Sequence, residues 1–313
     1  MDKNNTQSTL EEIYKKIKKL KITGKNAEYI PELKKVNPNI LAISIHTVDG
    51  EKNNVGDCET EVAMESVSKV FSLCLALKTV GLANMSKMIG TQQTISVFDS
   101  ITAIEDSPNR TINSFQNGGA MATTSIYYDK NQAKFEKKIF DNMADFAGRK
   151  LTYSKKTFES EMNNLDHNLA IGYLLKSYGR FYGEVLPTIT AYTKQCSAVA
   201  TSQDLALMAA TIANYGVNPK NGKRVVDKKF IPYILTHMAS NGMYGYSETW
   251  MTNIGMPAKS GVGGAIMIVI LGVMGIAIIS PPLDKNGNSV KGILAAKLLS
   301  KQLHLGMFDE QHT

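Results

Sequence analysis

The chain of 313 residues holds only three cysteines, Cys58, Cys74 and Cys196, and no Cys-x-x-Cys pair. An odd, unpaired set excludes a disulfide scaffold and a zinc ribbon, and it fits a reducing compartment. Glycine (24) and proline (9) are too few for a collagenous or linker protein. Charge is modest: 35 Lys and Arg against 28 Asp and Glu leave a net +7, short of the clustered excess of a dedicated DNA binder. The five histidines form no His-Glu-x-x-His, which argues against a zinc hydrolase, and no Gly-x-x-x-x-Gly-Lys-Ser/Thr occurs, which argues against a P-loop enzyme. Residues 1–8 (MDKNNTQS) lack the apolar core of a signal peptide. Residues 1–7 are therefore expected to form a disordered tail, and the protein is expected in the cytoplasm.

What is present is globular. Hydrophobic residues make up 43 % and charged residues 20 %, enough to bury a sizeable core. Leu10, Ile13, Ile17 and Leu20 fall at helical spacing, with lysines at 15, 16, 18, 19 and 21 around them and Gly24 as a stop. Such a stripe could serve a membrane surface or a nucleic acid. The expected reading is an amphipathic helix packed on a domain with a solvated lysine face. The run 261–282 carries no charge and is long enough to span a bilayer. Its glycines at 261, 263, 264, 272 and 275, its Ile and Val content and its closing Pro281-Pro282 predict two buried central strands, split near Gly272.

Residues 40–48 read as a strand, with Asp49-Gly50 as its turn and 55–57 as a partner. Residues 65–80 read as a helix stopped by Gly81. The block 81–240 is mostly helical. Its clearest helices are 166–178 and 202–215, the second capped by Ser202 and closed by Gly216. Residues 289–303 read as a last helix. The fold class is therefore α+β: an antiparallel sheet built from both chain ends and flanked by terminal helices, with a helical block inserted. The expected division is a single unit, 8–313, with 8–80 and 241–313 as sheet subdomain and 81–240 as helical subdomain.

The chemistry concentrates at Ser66-Val67-Ser68-Lys69, the one Ser-x-x-Lys in the chain. A three-residue spacing at a helix start puts both side chains on one face. A serine hydroxyl needs an adjacent base, and a buried lysine can be one because desolvation lowers its pKa. The helix N-terminus offers backbone N–H groups to an oxyanion. Lys259-Ser260-Gly261, opening a strand, supplies the second half of a pairing used by serine β-lactamases and penicillin-binding proteins. The third element, Ser-Asp-Asn, is missing, which argues against a penicillin-directed enzyme.

Longer stretches decide between these readings. Pro257-Ala-Lys-Ser-Gly-Val-Gly-Gly264, then Ser280-Pro-Pro-Leu-Asp-Lys-Asn-Gly-Asn-Ser-Val-Lys-Gly292, with Asn241-Gly-Met-Tyr244 before them, resemble the serine-dependent glutaminases over about residues 24–303. That resemblance implies a β-lactamase-like fold and hydrolysis of L-glutamine to L-glutamate and ammonia, with no metal or organic cofactor. It implies Ser66 as nucleophile, Lys69 as base and Tyr244 as a second proton-transfer group. Val262 would join Ser66 in the oxyanion hole. Tyr29, Asn117, Glu161, Asn168 and Tyr192 would complete the substrate pocket. It also implies a homodimer or homotetramer, with neither nucleic acid nor membrane as partner. The residue types suit an amino acid: Glu161 can pair its ammonium, while Asn117, Asn168 and tyrosine hydroxyls can donate to its carboxylate. His167 stands where the family usually has arginine, and Ser114-Phe-Gln replaces the usual lead into the Asn117 loop, which puts that loop's geometry in question. The competing enzyme class is another Ser-x-x-Lys hydrolase, a peptidase or β-lactamase.

Overall fold

In the computed structural model, which describes residues 3–93, 99–107 and 109–309, the uncharged run forms strands. β6 (Ala265–Ile270) and β7 (Met274–Ile279) are joined by a turn in which Gly272 takes φ +76°, a left-handed value natural to glycine. They pair antiparallel, Ile268 opposite Ile276. β1 (Ala42–Thr47), β2 (Lys52–Gly56) and β5 (Ala258–Gly261) complete a five-stranded antiparallel sheet in the order β2-β1-β7-β6-β5, while β3 (Val62–Ala63) and β4 (Val199–Ala200) pair separately. The sheet draws on both chain ends, as expected.

Both faces of the centre are buried, which explains why the sequence there reads as continuous apolar runs. One face, with Ile43, Ile45, Ile266, Ile268, Ile276 and Ile278, packs on Leu10, Ile13 and Ile17 of the N-terminal helix and Ala295 and Leu299 of the C-terminal helix. The other face, with Ala42, Met267 and Ala277, joins the core of the helical block. Helix 202–213 lies directly on this face. A methyl added at Gly275 of β7 would sit 2.2 Å from the Ala210 nitrogen, so only a glycine lets the helix backbone come so close. The helix assigned by sequence to the inserted block is thus a layer of the sheet, and one core runs through both expected subdomains. The single helical stretch apolar and long enough to cross a membrane among the described residues is 65–88, and most of it is buried in this core.

Several local expectations are corrected. The polar start is helical, Lys3–Lys18, rather than a tail from residue 3 on; Met1 and Asp2 lie outside the described residues. Thr6 is buried and the Gln7 side chain donates to the Asn54 carbonyl at 3.3 Å, so contact with β2 extends the helix backwards. The helix ends at Lys18, before Gly24, and Leu20 is exposed. Lys15, Lys16 and Lys18 face solvent. Helix 202–213 is capped by Thr201 through a capping box with Asp204, not by Ser202. Gly81, by contrast, ends its helix as expected: its backbone is non-helical (φ +75°), and two helices meet at a kink there within Lys69–Met88.

Candidate active site

The Ser-x-x-Lys segment is tighter than an α-helix. Glu65–Ser68 forms a 3-10 turn that runs straight into the helix from Lys69, whose N–H bonds the Ser66 carbonyl. In a 3-10 turn residues i and i+3 eclipse, so Ser66 and Lys69 stack on one edge. The end of β5 lies against this turn. A Cβ at Gly261 would stand 2.5 Å from the Met64 carbonyl oxygen, and one at Gly263 2.2 Å from that of Ala63. The two glycines admit this approach and bring Val262 beside the turn. Among the described residues the backbone N–H groups of Ser66 and Val262 donate to no backbone carbonyl, which leaves them for an oxyanion.

Lys69 is fully buried. Its Nζ donates to the Phe115 carbonyl (2.9 Å) and to Asn117 Oδ1 (2.7 Å). Burial brings its pKa down to about 8, against the opposing pull of Cys196, Glu65 and Asp99. The loop before Asn117 is held by its own side chains. Asn113 Oδ1 accepts from the N–H groups of Phe115 and Gln116 (2.9 and 3.0 Å), which turns the chain into the helix Asn117–Ser125. Gly119 makes this possible, since a Cβ there would overlap the Asn113 carbonyl at 1.6 Å.

Tyr244 donates to the Ser260 carbonyl at 3.2 Å, and a hydrogen bond with Ser66 also reaches its hydroxyl. Burial holds this phenol above its ordinary pKa, so it stays neutral. The second buried lysine, Lys259, lies 4.5 Å from the Tyr244 ring centroid and donates to the Ser260 carbonyl at 2.6 Å. Burial and the charge of Lys69 lower its pKa strongly.

These elements enclose a cavity of about 400 Å³. Eight of the nine residues singled out from sequence line it: Tyr29, Ser66, Asn117, Glu161, Asn168, Tyr192, Tyr244 and Val262. Lys69 stands behind Asn117. Glu161 ends the helix Lys155–Met162 and Asn168 begins the helix Asp166–Ser177, so no single helix runs through both; the break at Asn163-Asn164 turns both toward the cavity. Ser197 donates to Glu161 at 3.3 Å. Tyr192 is buried with its ring centroid 6.0 Å from Lys69 Nζ. Tyr29 is largely exposed at the mouth, where this cavity meets a second one of about 840 Å³ that shares Tyr29, Tyr244 and Val262. His167 caps the rim, its Nε2 2.8 Å from the Asp99 carbonyl.

Sequence reasoning missed Glu65, Asp99, Ser160 and Cys196, which also line the cavity. In sequence Glu65 is only the first residue of the expected helix 65–80, and its burial depends on packing no local pattern reports. Among the described residues no three His, Cys, Asp or Glu side chains cluster as metal ligands.

A family model described as Glutaminase matches residues 24–308. The chain belongs to the glutaminase family. Glutaminase 1 of Escherichia coli strain K12 is 39 % identical over 308 residues, 98 % of this chain and 99 % of that one. The glutaminase of Mycobacterium ulcerans is 39 % identical over 286 residues, 91 % of this chain and 89 % of that one. A solved structure of a probable glutaminase superposes with a TM-score of 0.95 at 39 % identity, covering 98 % of this chain and 99 % of that one. The crystal structure of Mglu in its glutamate form superposes at 0.91 and 30 % identity, covering 97 % of this chain and 70 % of that one. The α+β architecture is thus the β-lactamase-like fold of the glutaminases, and the other Ser-x-x-Lys hydrolases are not favoured.

Proposed function

We propose that this glutaminase converts L-glutamine and water to L-glutamate and ammonia through an ester on Ser66. Family membership supports the reaction. The single observation that carries the residue assignment is the 3-10 turn that puts Ser66 three residues before the fully buried Lys69, whose pKa burial lowers.

The substrate's ammonium pairs with Glu161. Its carboxylate accepts from Asn168, from the Tyr29 and Tyr192 hydroxyls, and from Asn117. Because Asn117 Oδ1 is engaged by Lys69, its amide NH₂ is the end that faces the substrate. The side-chain amide carbonyl enters the pocket formed by the Ser66 and Val262 N–H groups. Lys69, with Tyr244 as proton relay, removes the Ser66 proton as Oγ attacks. The two N–H groups hold the oxyanion of the tetrahedral intermediate, where charge develops. The proton returns to the departing nitrogen, ammonia leaves, and water hydrolyses the ester by the same route. None of these steps requires a metal or an organic cofactor.

The test is ammonia release from L-glutamine by the wild type and by folded Ser66→Ala. Loss of a nucleophile in such a unit costs several orders of magnitude, on the order of 10⁴ or more. Equal release by both proteins removes Ser66 from the mechanism. We propose further that the protein acts in the cytoplasm as a homodimer or homotetramer, with neither nucleic acid nor membrane as partner. Three buried free cysteines and the exposed Tyr173, Tyr178, Tyr182 and Leu186 support the compartment and the association. Light scattering of the purified protein reads the oligomeric state directly.

A further inference from the structure

Three short extended segments lie side by side outside the five-stranded sheet. β3 pairs antiparallel with β4, Val62 opposite Ala200, and the Met64 N–H continues the pairing to the Ala198 carbonyl at 2.7 Å. Along the other edge of β4 lie residues 152–154. There the Val199 N–H donates to the Thr152 carbonyl (2.9 Å) and the Ser154 N–H to the Ser197 carbonyl (2.8 Å).

Each segment joins an element that lines the 400 Å³ cavity. β3 runs into the Glu65–Ser68 turn with Ser66. Residues 152–154 run into the helix Lys155–Met162 with Glu161, which Ser154 caps. β4 follows the helix Val185–Cys196 with Tyr192. The register of this three-stranded ribbon therefore sets where Ser66 stands relative to Glu161 and Tyr192.

One side chain joins all three strands at the end away from those elements. Arg149 precedes Thr152 by three residues. Its Nε and Nη2 donate to Asp204 Oδ1 and Oδ2 at 2.8 and 2.6 Å, and Nη2 also donates to Glu61 Oε1 at 3.1 Å. Glu61 immediately precedes β3. Asp204 Oδ2 accepts from the Thr201 N–H and hydroxyl, both at 2.9 Å, where β4 ends. Burial would raise the Asp204 carboxyl, but the bonds from Arg149 and Thr201 hold it below its ordinary range, so the pair is ionised at neutral pH. A guanidinium fork fixes angle as well as distance, which the point charge of a lysine does not. Arg149 itself does not line the cavity.

We propose that Arg149 is a positioning residue for the reaction: its fork locks the register of the ribbon and so the distance from Ser66 to the groups that anchor the substrate. The proposal rests on the glutamine-hydrolysing reading. The bidentate bond to Asp204 ties together the two strands whose helices carry Glu161 and Tyr192. The single bond to Glu61 ties the strand of Ser66 to them. Loosening the clamp leaves the anchors able to bind and moves Ser66 against the bound amide, and a shift of about 1 Å between reacting groups costs on the order of 10² in rate. The loss falls on kcat rather than KM.

The test is kcat, KM and Tm for L-glutamine hydrolysis by wild type, Arg149→Met, Arg149→Lys and Glu61→Ala, assayed well below every melting temperature. Arg149→Met is expected to lower kcat about tenfold or more with KM within about threefold. Arg149→Lys is expected to recover part of Tm but less of kcat, because the charge returns without the fork. Glu61→Ala removes a half-exposed ion pair of the kind that adds little stability, so Tm should hold while kcat falls about threefold; in the Arg149→Met background it should add nothing. Asn131→Ala is the stability control: it removes the cap at the opposite end of the helix that leads to Arg149 and should lower Tm without touching kcat. If Arg149→Met does not fold, Arg149→Lys and Glu61→Ala decide. Wild-type kcat in both Arg149→Lys and Glu61→Ala, or a loss in Asn131→Ala equal to theirs, overturns the proposal. A wild type that releases no ammonia overturns the hydrolytic reading instead. Hydrogen exchange over residues 62–68 and 155–161 then decides the clamp: faster exchange in Arg149→Lys and Glu61→Ala than in wild type supports it, and unchanged exchange overturns it.

Discussion

Gly261→Ala is the sharpest test of the oxyanion geometry. The added methyl would stand 2.5 Å from the Met64 carbonyl oxygen and 3.3 Å from the Val67 nitrogen. Non-bonded heavy atoms settle near about 3.5 Å, so β5 and the nucleophile turn must part by roughly 1 Å. Neither partner is a flexible side-chain tip; both are backbone. The displaced group is the Val262 N–H, and a shift of that size costs on the order of 10² in rate, close to the ~10²–10³ for losing an oxyanion donor outright. The expected result is a fall of about 10² in kcat with KM little changed, because the donor matters most in the transition state. Overpacking should also cost about 1–3 kcal/mol, a few degrees in Tm. Gly245→Ala, whose methyl meets nothing within 4 Å, is the control. Steady-state kinetics on protein with a cooperative melt reads the outcome. A folded Gly261→Ala within threefold of the wild-type kcat refutes the reasoning, since the close approach would then not set the catalytic geometry.

Other consequences follow from the same structure. With Lys69 at about 8, the free base is about 1 % of the population at pH 6 and about half at pH 8. kcat at saturating glutamine should rise roughly fiftyfold over that interval and then level, whereas an ordinary lysine would drive a rise beyond pH 10; a flat profile from 6 to 8 would remove Lys69 as base. Lys69→Arg, permanently charged, should lose on the order of 10³ or more in kcat without unfolding. Thr201→Ala removes the cap of helix 202–213 and should cost about 1 kcal/mol, measurable by denaturant titration with no change in KM.

The sequence by itself determined the strands, the terminal helices and the place of the Ser-x-x-Lys turn. Uncharged Ile/Val runs interrupted by glycine and closed by proline favour buried strands over one long helix, and a Ser-x-x-Lys at a helix start is local chemistry visible in four letters. Helix boundaries were less legible. Lys3–Lys18 begins early because Gln7 meets β2, and Thr201 rather than Ser202 caps its helix because the Asp204 partner stands three residues on. Both outcomes depend on a partner that periodicity does not contain. Only the tertiary structure decided the charge state of the site. Lys69, Lys259, Glu65 and Glu161 are ordinary ionisable residues in sequence, and their pKa values move because elements distant along the chain close over them and exclude water. Desolvation is a property of the assembled core, so the lowered lysines and the raised carboxyls of the cavity differ from their exposed counterparts only once the chain has folded.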